Sequence, residues 1–348
     1  MPGSKLVFPV FVTLLIFLTL ISITENEIVA GSDFEKMNGV SFVAPQKEYA
    51  GNPFTPVIEI NANWIAIMPY AFCDENSPLV KYDNVHQWWG EKSPGIIKSI
   101  ELAKQQNLKV MLKPHVWIKG QGWTGEFSLK TEEDWQTWER SYEAYIQHFA
   151  LIADSMDVEA FCVGLEFNNA VKERPEFWTN LIHKVRNNYQ GKITFAANWD
   201  NYKLIPFWDR VDFIGINAYF PLSQDETPPV NVLKSAWIKE KRSLSALCEK
   251  YQKPMVFTEY GYRSIDRAAG NQWELEQNHG SKSVANFQVQ ENAYTALYET
   301  FWDEPWFQGG FLWKWYPDHQ SGNDPDNSDY TPQMKPVEKI ISARYKKP

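Results

Sequence analysis

The feature that most constrains this chain is an alternation. Eight apolar runs of strand length recur along it, mostly separated by stretches of helical periodicity. The runs are Gly39–Val43, Trp64–Met68, Lys109–Lys113, Ala160–Val163, Lys192–Ala196, Val211–Ile216, Pro254–Phe257 and Gly309–Leu312. Such alternation argues for a parallel sheet, because each parallel pairing needs a long crossover and a helix supplies it. Eight parallel strands read as a closed barrel more readily than as an open sheet. The expected fold class is therefore α/β, a (β/α)8 TIM barrel. Such a barrel takes roughly 250 residues. The 348 residues present accommodate it as a single domain over residues 31–348.

The helical stretches have their own signatures. Thr131-Glu-Glu-Asp starts like a capping box, and Trp135, Trp138, Tyr142, Tyr145, Phe149 and Ile152 then recur at three- and four-residue steps. That spacing predicts one apolar helical face that packs on the barrel. Pro175 suits a first helical position, and Leu233–Tyr251 and Val284–Trp302 read as further helices. Trp199–Arg210 is too short for a full helix, and residues 264–283 read as an irregular loop after the seventh strand.

Residues 6–23 are nearly all apolar and follow Lys5, the pattern of a secretory signal. The run is also long enough to stay as an N-terminal membrane anchor. Residues 1–30 are therefore expected to be a signal peptide or anchor, and the protein to be secreted or periplasmic. The three cysteines are widely spaced and give neither a disulfide framework nor a metal pair. The six histidines lack ligand spacing, so no metal is expected. The acidic loop Asp318, Asp324, Asp326, Asp329 lacks the EF-hand pattern. A net charge of −9 without a basic stripe argues against nucleic acid. Aromatic residues make up 15%, with 16 Trp, more than a core of this size needs. Most should be core, and a minority should line a groove of the kind that stacks on pyranose faces.

Two of the apolar runs lead into glutamates. Phe161-Cys-Val-Gly-Leu-Glu166 is followed by Asn168 and Asn169, and Pro254-Met-Val-Phe-Thr-Glu259 by Tyr260-Gly-Tyr262. In a parallel barrel the C-terminal strand ends carry the chemistry, and two facing carboxylates are the minimal equipment for cleaving a glycosidic bond. Glu166 is the acid/base candidate, and Gly164 before it allows close backbone approach. Glu259 is the nucleophile candidate, with the hydroxyls of Thr258, Tyr260 and Tyr262 nearby in sequence. The competing readings are an exposed loop glutamate at 166 and a capping carboxylate at 259. No phosphate loop and no Gly-x-Ser-x-Gly elbow is present.

These motifs resemble glycoside hydrolase family 113, within clan A. The likeness is carried by Leu112-Lys-Pro-His115-Val-Trp, the Glu166 motif, Asp212-Phe-Ile-Gly-Ile-Asn217-Ala-Tyr219-Phe-Pro, the Glu259 motif, Gly309-Gly-Phe-Leu-Trp313-Lys-Trp315-Tyr-Pro and Tyr330-Thr-Pro-Gln-Met-Lys-Pro336, and runs from about Met37 to Tyr345. The resemblance implies a retaining mechanism, with carboxyl groups about 5–5.5 Å apart, and β-1,4-mannan cleaved within the chain. It implies that Tyr219 hydrogen-bonds the nucleophile and that Trp313 is the platform under the sugar. His115 and Asn198, at strand ends, are candidates to hold sugar hydroxyls. One position departs from the clan, where Asn usually precedes the acid/base and binds the 2-hydroxyl. Here it is Leu165, so the contact is absent or comes from elsewhere, with Asn168 and Asn198 as candidates. The expected ligand is a polysaccharide or oligosaccharide; a polysaccharide hydrolase needs no cofactor, and a monomer needs no protein partner. The alternatives are another β-glycan or short oligosaccharides as substrate, or a non-catalytic carbohydrate-binding barrel.

Overall fold

The computed structural model describes residue 3 and residues 35–74, 77–120, 123–272 and 284–347. The expected signal or anchor, and residues 273–283 of the expected loop, lie outside the described residues. The strands, in chain order, are β1 (Met37–Phe42), β2 (Trp64–Ile67), β3 (Tyr70–Asp74), β4 (Ser77–Lys81), β5 (Lys109–Leu112), β6 (His115–Lys119), β7 (Ala160–Leu165), β8 (Lys192–Asn198), β9 (Ile214–Asn217), β10 (Met255–Tyr260) and β11 (Phe307–Trp315). Eight of them close in the order β1-β11-β10-β9-β8-β7-β5-β2. Each of the eight expected runs overlaps one of these strands, and every pairing around the barrel is parallel.

Strand residues divide by phase. Ile65, Ile67, Val110 and Leu112 join a large cluster with the outer helices, whereas Met37, Trp64, Ala66, Met111, Ala160, Phe213, Val256 and Phe311 pack on one another. The second set fills the barrel interior, since successive strand side chains point to opposite faces.

The helix Glu132–Ser155 begins as its sequence predicts, with the Thr131 side chain accepting from the Asp134 N–H. Its buried face includes Trp135, Trp138, Tyr142, Tyr145 and Phe149. Pro175 opens the helix Pro175–Asn188. Between β8 and β9 stand only two short 3-10 turns, Tyr202–Leu204 and Trp208–Arg210.

A second sheet, of order β4-β3-β6, lies outside the eight apolar runs. It grows from the barrel mouth, because β3 follows β2 and β6 follows β5 after short connections.

Candidate active site

The C-terminal mouth gathers its residues in two ways. Lys113, Asn217 and Trp313 follow Met111, Phe213 and Phe311 at even spacing, so the inward phase carries their side chains into the barrel. The two glutamates arrive differently. In β7 the register shifts between Cys162 and Leu165, and Glu166 itself has a left-handed backbone, φ 54°. In β10 the register against β9 shifts between Phe257 and Glu259. Such irregularities re-aim a side chain at the cost of regular pairing.

Gly164 is fixed by packing: a Cβ there would lie 2.5 Å from the Trp178 ring and 2.8 Å from that of Phe195. Close approach of the strand to the helix behind it is therefore what the glycine provides.

Glu166 and Glu259 have unlike surroundings. The Glu166 carboxylate accepts from Asn217 Nδ2 at 2.8 Å and from Trp123 Nε1 at 2.5 Å. Burial, reinforced by the charge of Glu259, pushes its pKa up from 4.5 to about 7. Glu259 is 5% exposed and forms an ion pair with Lys113, which has no exposed surface. The Lys113 ammonium also donates to the Thr258 carbonyl at 3.1 Å. The Tyr219 hydroxyl donates to Glu259 Oε2 at 2.8 Å, and burial beside that carboxylate holds the phenol well above its usual range. Asn217 joins the two halves, since its Oδ1 accepts from Thr258 Oγ1 at 2.9 Å while its amide reaches Glu166.

His115 Nε2 lies 3.9 Å from Glu259 Oε1 and has no hydrogen-bond partner. Burial, with Lys113 beside it, pulls its pKa well below 6.5, so the imidazole is neutral. Its ring is stacked with Trp313, centroids 6.2 Å apart and planes 9° apart. The Trp313–Lys314 peptide is cis. Among the described residues no cluster of three His, Cys, Asp or Glu could hold a metal ion.

Glu166, Glu259, Tyr219, His115 and Trp313 thus converge on one mouth. Asn198 ends β8 there but donates to Asp200 Oδ1 at 2.9 Å, and Asn168 is bonded to Asn201. Neither of these two side-chain amides hydrogen-bonds a carboxylate of Glu166 or Glu259; that of Asn217 does. Lys113, Asn217 and Trp123 were not assigned roles from sequence. The even spacing from Met111 and Phe213 is a signal for the first two. Trp123 lies in a loop, where no periodicity points.

A closed parallel barrel carrying two carboxylates in unlike environments at this mouth has the equipment of a glycoside hydrolase. The chain belongs to glycoside hydrolase family 113, whose family model matches residues 44–335. A family 113 β-mannanase from Alicyclobacillus acidocaldarius, solved with ManMIm, is 25% identical with a TM-score of 0.78, the match covering 90% of this chain and 98% of that one. A second family 113 β-1,4-mannanase is 25% identical with a TM-score of 0.74 and is covered completely, over 90% of this chain. A β-glucuronidase from Ruminococcus gnavus, at 14% identity and TM-score 0.61, shares the fold over 90% of this chain and 50% of that one. No curated protein matches the sequence.

Proposed function

We propose that this protein is a retaining endo-β-1,4-mannanase with Glu166 as acid/base and Glu259 as nucleophile. The observation that carries the roles is the electrostatic difference between the two carboxyl groups. Burial and a neighbouring negative charge keep a proton on Glu166 up to about pH 7, while Glu259 is held against the Lys113 cation. In the first step the Glu166 proton moves to the glycosidic oxygen. The bond from that oxygen to the anomeric carbon breaks, and a Glu259 oxygen bonds to the same carbon. In the second step the Glu166 carboxylate takes a proton from water. The water oxygen bonds to the anomeric carbon, and the Glu259 ester breaks. Two inversions give retention. Trp313 forms the platform under the sugar and neutral His115 offers its free Nε2 to a hydroxyl. Mannan as the substrate is supported by the likeness to two β-mannanases over 90% of the chain.

Product analysis tests the reading. Residues 31–348 and the Glu259→Gln variant are incubated with linear mannan, glucomannan, xylan and mixed-linkage glucan. Manno-oligosaccharides from the unmodified protein alone are expected. Products from another polymer alone would overturn the substrate, and binding without products would favour a non-catalytic barrel. We also propose export, secreted or periplasmic, from the apolar run at residues 6–23 behind Lys5.

A further inference from the structure

The second sheet has two faces of different character. Ala71, Cys73, Val80, Val116 and Ile118 belong to the main core, and the Val80 N–H donates to Ser141 of the helix behind at 3.0 Å. The opposite face is open, with Trp117 59% and Leu79 44% exposed and Phe72 partly so. Phe72 and Trp117 are directly paired across β3 and β6. One step inward along the same two strands, Tyr70 is paired with His115, their rings 5.0 Å apart. His115 in turn stacks on Trp313. Aromatic residues therefore hold successive same-face positions from His115, which stacks on Trp313, out to the paired Phe72 and Trp117, each two-residue step covering about 6.6 Å. Polar groups border the outer end, where Asp74 is paired with Lys119 and Lys81 with Phe72.

A tryptophan beside a phenylalanine on the open side of a sheet leaves apolar surface in water, which marks a contact site when it continues a cleft. Exposed aromatic side chains with polar neighbours suit a pyranose, whose apolar face stacks while its hydroxyls are hydrogen-bonded. A glycan lying in the catalytic mouth reaches this face simply by being longer. We infer that the Phe72–Trp117 face is a distal subsite for a β-1,4-linked pyranose chain, binding units beyond those at the cleavage point. The inference rests on the glycosidase reading and deepens it: the enzyme selects long chains.

The test compares kcat/KM for a manno-hexasaccharide with that for a manno-trisaccharide. Trp117→Ala should lower the hexamer-to-trimer ratio about tenfold, and Trp117→Phe should keep most of it. Ile238→Ala, an exposed apolar truncation on the helix Val230–Tyr251, should leave the ratio unchanged. An unchanged ratio in Trp117→Ala overturns the subsite. Should the protein cleave only gluco- or xylo-oligosaccharides, the ratio is read on those, and only the mannan assignment falls. Should it cleave none, titration of the three hexasaccharides into the protein decides. Weaker binding by Trp117→Ala supports the subsite, and equal binding, or none by either protein, overturns it.

Discussion

On the proposed mechanism, Lys113 separates the duties of the two glutamates. A buried carboxylate without a partner is strongly disfavoured, and a buried cation without one equally so. Replacing the ammonium by an apolar chain of similar length leaves Glu259 uncompensated. Lys113→Met is expected to lower kcat about 100-fold or more with a smaller change in KM, measured by steady-state kinetics on mannan. Glu166 carries the pH dependence. Its acid form is lost above about pH 7, so kcat/KM should fall as pH rises through that value. In Glu166→Gln this limb should vanish from the residual turnover of an activated aryl mannoside, read from a pH profile. Stability is linked to the same proton. In the unfolded chain the carboxyl titrates near 4.5 and in the fold near 7, so the native state binds more protons between these values. The contribution of the group is fully favourable below about 4.5 and is lost as pH rises to about 7. Glu166→Gln should therefore gain stability relative to the parent across this window, by up to about 3 kcal/mol, as seen in denaturant melts at about pH 5 and about pH 8. That the two glutamates meet at one mouth was legible in the sequence, because each follows an apolar run of strand length and parallel strands end on the same face. Lys113 was not, since a lysine closing a strand reads as its solvated end, and only the interior phase of its strand reveals where the ammonium goes.

At the scale of elements, both carboxylates depend on strands that break register just before them. β7 is the more constrained. Its glycine lies under Trp178, which is fully buried and has no room to retreat. Gly164→Ala should destabilise the protein by about 1–3 kcal/mol and also reduce kcat, because the strand that aims Glu166 must shift. Thermal unfolding and kinetics on one preparation separate the two effects. The barrel strands were legible as apolar runs because both of their faces are covered, by helices outside and by packed side chains within. The second sheet was not. Tyr70-Ala-Phe-Cys-Asp and His115-Val-Trp-Ile-Lys alternate core positions with positions facing the mouth and solvent. Their outward residues include Phe72 and Trp117, so aromatic character does not separate the two faces. The connection between β8 and β9 shows the converse, where the shortness of the segment alone ruled out a helix.

For the whole molecule, the decisive contact is the seam where β1 meets β11. The helix Val337–Tyr345 fastens it. The Tyr345 hydroxyl donates to the Gly39 carbonyl at 2.9 Å, the Asn38 side chain donates to the Tyr345 carbonyl at 3.2 Å, and Trp302 Nε1 donates to Asn38 Oδ1 at 2.8 Å. Removing residues 337–348 should expose the seam, lower the melting temperature and abolish turnover, although every catalytic candidate remains. Calorimetry beside an activity assay checks this. The direction of the strands has a spatial consequence. All eight barrel strands run toward the catalytic mouth, so Glu35, paired with Lys109 at 2.8 Å, lies at the opposite rim. A polymer meeting the cleft thus approaches the end of the barrel remote from Glu35, so the entry of the described chain and the seat of the substrate do not compete for room.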